Sequence, residues 1–186
     1  MSVGEVGGGT AASMLGVRTF ARDTPLEVFN DGRGVNIISG NTDPLTGEPD
    51  PSRDVDFTIR AKDGTEVDVD LAGSTTVGDV LDRMETAIAA AGLSAQMSVG
   101  LAADGNGIMI EDQTAGGTGV TEVLQRNASF AADDLGIRGR TEGATLAGED
   151  RARVAADGLI TRLIRLRDAL LANDERGITL AGEGLD

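Results

Sequence analysis

Val55-Asp56-Phe57-Thr58-Ile59-Arg60-Ala61, then Lys62-Asp63-Gly64, then Val67-Asp68-Val69-Asp70-Leu71 is the stretch that sets the fold. In both flanking runs the apolar residues fall on odd positions, the period of a half-buried strand, and Lys-Asp-Gly between them is hairpin chemistry. A helix is predicted next. Thr76 is a good N-cap with Asp79 three residues on, Val77, Val80, Leu81, Met84 and Ile88 form one stripe at helical spacing, and Gly92 stands where a terminating glycine belongs. Beyond it Leu93, Ala95, Met97, Val99 and Leu101 alternate, and Ile108-Met109-Ile110 reads as a partner strand across the turn Ala103-Asp104-Gly105-Asn106-Gly107. Residues 55–112 therefore read β-β-α-β-β, which predicts an α+β fold: an antiparallel, β-rich domain with one packed helix.

Composition limits what such a domain can do. The 186 residues are 40% hydrophobic, enough to bury a core, but only 2% aromatic, with four Phe and no Trp or Tyr, so the core must be aliphatic. Sixteen basic against 31 acidic residues give a net charge of −15, which repels phosphate backbones and anionic lipid; neither nucleic acid nor a membrane surface is expected as a partner. There is no Cys and no His, which removes disulfides, thiolate sites and the commonest proton carrier near neutral pH. No enzymatic centre, cofactor or bound metal is expected. No run of 18 apolar residues occurs, and the first 17 residues carry neither the basic nor the apolar region of a signal peptide.

Outward from the hairpins, residues 1–10 form a Gly-rich, flexible lead. Ala11-Ala12-Ser13-Met14-Leu15-Gly16-Val17-Arg18 recurs as Ala131-Ala132-Asp133-Asp134-Leu135-Gly136-Ile137-Arg138, as if two matching edges bracketed one domain. Residues 40–54 hold three of the four prolines and many acids, and are expected to be a mobile polar loop.

Several residues invite chemistry. Asp68 and Asp70 share a strand face, but alternation alone puts polar residues there. Asp104, Asn106, Glu111 and Asp112 suggest calcium, yet their spacing fits no EF-hand loop. Ala115-Gly116-Gly117-Thr118-Gly119 lacks the lysine and spacing of a phosphate loop. Asn127-Ala128-Ser129 matches a glycosylation sequon.

From Glu149 to Asn173 the period turns helical. Leu159, Leu163, Leu166 and Leu170 are spaced 4, 3 and 4, the seam of a coiled coil, and Ile160, Ile164 and Leu171 widen it toward a bundle. Each leucine gains roughly 1.5–3 kcal/mol when fully buried, so the seam needs a partner. The same helix of another chain would give a dimer or tetramer; folding back on the β-rich domain is the other way to hide it. Arg162, Arg165 and Arg167 flank this seam on what reads as a solvated face.

Asp56-Phe57-Thr58-Ile59, Asp63-Gly64-Thr65, Val69-Asp70-Leu71 and Thr76-Val77-Gly78-Asp79-Val80-Leu81, in that order, resemble the hook IN motif of flagellin and the flagellar hook-associated proteins. Met84-Glu85 stands where that motif usually ends in Ile-Asn. Leu166-Arg167-Asp168-Ala169-Leu170-Leu171-Ala172-Asn173-Asp174 is similar to the C-terminal helical region of hook-associated protein 3. The resemblance implies an outer domain over 11–146, containing the hook IN-like motif at about 55–85, and a C-terminal coiled-coil-type helical segment of the axial bundle at 147–186. It further implies a fragment without the terminal polymerisation helices.

The function that follows by resemblance is structural: a subunit joining hook to filament in the bacterial flagellum, extracellular, exported without a cleaved signal peptide. Its partners would be copies of itself and other axial proteins, hook and flagellin among them. Flagellin, the filament cap and the first hook-associated protein are the neighbouring possibilities. An adhesin-like glycan-binding module is the alternative from another class, disfavoured by the missing aromatic platforms; a carboxylate-pair hydrolase is the enzymatic one.

Overall fold

The computed structural model describes residues 3–4, 6–7, 9, 11–14, 20–104, 106–117, 119–152, 167 and 170. After a short helix α1 (Ala11–Met14) come a 3-10 turn at Leu26–Val28 and α2 (Phe29–Gly32). The first hairpin is β1 (Phe57–Arg60) and β2 (Glu66–Val69), paired antiparallel with Phe57 opposite Val69 and Arg60 opposite Glu66. Helix α3 (Val77–Ala90) follows, then β3 (Met97–Leu101) and β4 (Ile108–Asp112), β5 (Thr121–Gln125), α4 (Ala131–Asp134), β6 (Gly139–Thr141) and β7 (Thr145–Ala147). The fold is α+β and β-rich, as the alternation predicts, with α3 as the one substantial helix among the described residues.

The two hairpins do not share a sheet. One sheet has the order β2-β1-β5-β6 and the other β3-β4-β7, all neighbours antiparallel. Helix α3 packs on β2 and on β3, one edge strand of each sheet. Strands β5, β6 and β7 escape the sequence reading for a physical reason: β6 and β7 span three residues each, too few to show a period.

Helix α3 is specified locally at both ends. The Thr76 hydroxyl accepts from the Asp79 amide at 3.2 Å, and the Asp79 carboxylate accepts from the Thr76 amide at 2.9 Å, a full capping box. At the other end Gly92 takes φ +73°; its amide donates to Ala89 and that of Leu93 to Ile88, both at 3.0 Å, a Schellman closure that turns Leu93 back into the core. Val77, Val80, Leu81, Met84 and Ile88 are all buried, so the predicted stripe is the buried face.

Strand β1 departs from simple alternation. It is central, and Asp56 and Thr58, on the parity read as polar, are as fully buried as Phe57 and Ile59. A side-chain lattice covers the outer face: Arg126 Nε donates to the Thr58 hydroxyl at 2.7 Å, Thr58 donates to Asp68 at 2.5 Å, and Arg60 and Arg126 both reach Glu66 at 2.9 and 3.2 Å. Residues 40–54, expected to be mobile, are stitched into a hairpin-like knob. Asn41 donates twice to Asp54, at 2.8 and 2.7 Å, and Asp43 and Glu48 bond across the turn at 2.8 Å. Leu45 at its tip is 93% exposed.

Candidate functional site

Two buried carboxylates organise the domain, each engaged by main-chain amides and side-chain hydroxyls. Asp56 lies at the head of β1. One oxygen accepts from the Ile38 amide at 3.0 Å and the Ser129 hydroxyl at 2.6 Å, the other from the Leu71 amide at 2.8 Å. Segments far apart in sequence thus meet on one side chain. Burial dominates there and raises its carboxyl above the usual range, against the three donors and with a further push from Asp70. Asp112 closes β4. It accepts from the amides of Thr114 and Lys62, both at 2.8 Å, and from the hydroxyls of Thr114 and Thr121 at 2.6 and 2.7 Å. Burial pushes this carboxyl up too, but four donors more than offset it and hold it below the usual range.

The calcium candidates do not converge. Asp112 spends both oxygens on protein donors, Glu111 is half-buried and paired with Ser98 at 3.4 Å, and Asn106 donates to Asp150 at 3.1 Å. Among the described residues no group of three or more His, Cys, Asp or Glu could hold a metal. The sequon is occupied structurally: the Asn127 amide donates to the Ser52 and Val55 carbonyls at 3.2 and 2.9 Å, and Ser129 is buried on Asp56. The Gly-rich loop is a fitting surface, because a Cβ on Gly117 would stand 2.5 Å from the Asp63 carbonyl carbon. Every part of the hook IN-like stretch has a folding role. Asp63 and Asp70 accept from the amides two residues on, Thr65 and Ala72, both at 2.8 Å, in tight turns, and the apolar members are core.

Residues 20 and 151–152 meet at one pole of the domain. Phe20 and Phe29 are fully buried, edge to face, with centroids 6.0 Å apart. The next amide, Asn30, donates to the Arg151 carbonyl at 3.0 Å, and Ala152 is fully buried in the same core. Residues 149–152, which the periodicity assigns to the C-terminal helix, are non-helical chain packed on the domain. They run through a slot lined by glycine. A Cβ on Gly107 would meet the Gly148 oxygen at 2.5 Å, and one on Gly136 the Glu149 oxygen at 2.5 Å. Helix α4 and Leu135–Ile137, the second copy of the repeated octapeptide, form one wall of this slot. The first copy opens with the helical turn α1, and its Leu15–Arg18 lies outside the described residues.

Of the seam residues, Leu159, Leu163 and Leu166 lie outside the described residues; Leu170 is helical and 57% exposed. No described helix is long and apolar enough to cross a membrane.

Acid response follows from the carboxylates. Asp79 is held down to about 2, first by the Thr75 amide, then by the Thr75 hydroxyl and the donors of Thr76. A lowered carboxyl stabilises the fold above its ordinary value and loses that contribution as pH falls through its folded value; Asp112 acts in the same sense, and raised Asp56 in the opposite one. Between pH 3.8 and about 2 the urea midpoint is expected to fall, and to fall less in Asp79→Asn, which has no proton to take up. Equal slopes in the two proteins would refute the linkage.

Comparison with known proteins finds no matching family model, no matching curated protein and no matching solved structure.

Proposed function

We propose that the chain is a structural, non-enzymatic subunit of the bacterial flagellum, joining hook to filament, with residues 20–152 forming its outward-facing domain. The reading is supported by the order of the hook IN-like segments along one chain. The observation that carries it is the shared pole: the incoming Phe20 and the outgoing Arg151 and Ala152 seat on adjacent residues, Phe29 and Asn30. A domain inserted between two helices of an axial tube needs that geometry, because its two connections must reach the same stalk. The proposal extends to Leu159, Leu163, Leu166 and Leu170 as the seam against copies of the chain or other axial subunits, and to export without a cleaved signal.

Immunogold labelling with antibody to residues 20–152, in the bacterium that encodes the chain, tests this. Label at a single position between hook and filament is expected, and deletion of the gene is expected to leave hooks without filaments. Label along the whole filament would make the chain a flagellin, label at the tip a cap, and label on the cell body an adhesin. Each of these outcomes overturns the junction reading.

A further inference from the structure

Val35-Asn36-Ile37-Ile38-Ser39 is tied down on alternate residues. The Asn36 amide donates to Asp134 at 2.9 Å and the Ile38 amide to Asp56 at 3.0 Å. An extended backbone sends the polar groups of successive residues to opposite sides. The amides and carbonyls of Val35, Ile37 and Ser39 therefore face away from Asp134 and Asp56, and none has a hydrogen bond among the described residues. Val35 and Ile37 also line an open groove of ≈ 450 Å³, together with Pro25, Leu26, Ser74 and Thr76. The buried hydroxyl of Ser74, which lines the groove, has no hydrogen-bond partner among the described residues.

We infer that this segment is an acceptor edge, and that it takes an extended segment of another protein in which apolar residues alternate with lysine or arginine. Two observations fix that chemistry. Residues 34–40 contain no charge and no proline, the devices that guard sheet edges; by contrast β2 carries Glu66 and Asp68. Main-chain pairing with the bare edge supplies affinity, and the apolar lining receives alternate side chains. The surroundings are acidic. Glu27 stands on the rim, and past Ser74 an adjoining hollow of ≈ 360 Å³ presents Asp79 and Asp82. Arg22 pairs with Asp82 and offsets it, and Arg83, which also lines the hollow, donates to the Ala72 carbonyl at 2.7 Å and keeps its charge, so Glu27 and Asp79 against Arg83 leave the surroundings net acidic. A second copy brings the same −15 charge, so complementarity selects a basic partner segment over self-pairing. None of this rests on the flagellar reading.

Titration of the isotope-labelled full chain with an alternating Val/Lys peptide tests the inference by amide exchange. The Val35, Ile37 and Ser39 amides become protected, while those of Asn36 and Ile38 do not change. Glutamate in place of lysine, or N-methylation of the peptide's pairing amides, weakens binding by about tenfold, the loss of one or two hydrogen bonds or a charge contact. Ile37→Pro removes a pairing amide and has the same effect. Should it fail to fold, Glu27→Lys, an exposed rim change, carries the test by weakening the lysine peptide alone. No binding, protection elsewhere, or equal affinity for the glutamate peptide overturns the inference. So does concentration-dependent protection of the same amides without peptide, which would assign the edge to a second copy.

Discussion

Asp56→Ala is expected to lower the unfolding free energy by about 3–5 kcal/mol, a large part of the 5–15 kcal/mol available to a typical domain. The change leaves the Ile38 and Leu71 amides without an acceptor, while the Ser129 hydroxyl keeps the Asn36 carbonyl at 3.0 Å, and each orphaned donor costs roughly 1–3 kcal/mol, reduced where water enters. The raised carboxyl suggests that losing a costly buried charge would help. It does not, because two of the three donors are main-chain and remain after the side chain is gone. Asp56→Asn keeps one acceptor but sets an NH2 against a donor, so an intermediate loss is expected. It also removes the stability that a raised carboxyl contributes as pH falls, which steepens the acid limb of the profile. Asp68→Ala is the internal control: exposed, it loses only the Thr58 bond, and about 1 kcal/mol or less is expected. Urea midpoints at unchanged slope measure all three. A loss at Asp56→Ala no larger than at Asp68→Ala would show that the carboxylate does not organise the domain.

The hairpin, helix and second hairpin were legible in the sequence because each is specified within its own span. Period-two alternation marks 55–61 and 67–71, and α3 carries its capping box and its terminating glycine beside its apolar stripe. What was not legible is long-range. Nothing near Asp56 announces that residues 38, 71 and 129 will converge on it, and its odd-even position reads as solvent-facing. The Gly136 φ of +72° closes α4 as Gly92 closes α3, but nothing near it announces that Glu149 will pass 2.5 Å from where a Cβ would stand. Asp112 was legible as an unusual acid but not as a filled one, since its partners Thr114 and Thr121 are ordinary threonines until the chain folds. The same limit governs function: heptad spacing is a local pattern, whereas a shared pole appears only when Phe20 and Arg151 meet at α2.

Gly136→Ala is expected to unseat the outgoing chain. The position has φ +72°, where a non-glycine residue costs about 1–3 kcal/mol. The added methyl would also stand 2.5 Å from the Glu149 carbonyl oxygen and 2.9 Å from Arg151 Cγ. Main chain cannot yield as a flexible side chain tip can, so residues 148–152 must lift. Three hydrogen bonds then break: Gly148 to Ile108 and Glu149 to Gly136, both 2.8 Å, and Asn30 to Arg151, 3.0 Å. Ala152 leaves the core with them. At about 1 kcal/mol per bond the local loss reaches roughly 4–6 kcal/mol with the strain included. Hydrogen exchange reads the result directly. The Asn30, Gly148 and Glu149 amides should exchange far faster in Gly136→Ala, while the α3 amides, held by their own capping box and terminating glycine, keep most of their protection. Gly143→Ala, in an exposed turn and clear of the slot, should leave all of these amides unchanged. If Gly136→Ala slows no refolding, speeds no exchange and leaves 148–152 seated, then the glycine slot is incidental, and the outgoing chain is held by Ala152 and the core alone. If instead the slot opens while the domain stays folded, the seating of residues 148–152 is a separable joint, set by Gly107 and Gly136 rather than by the sheets.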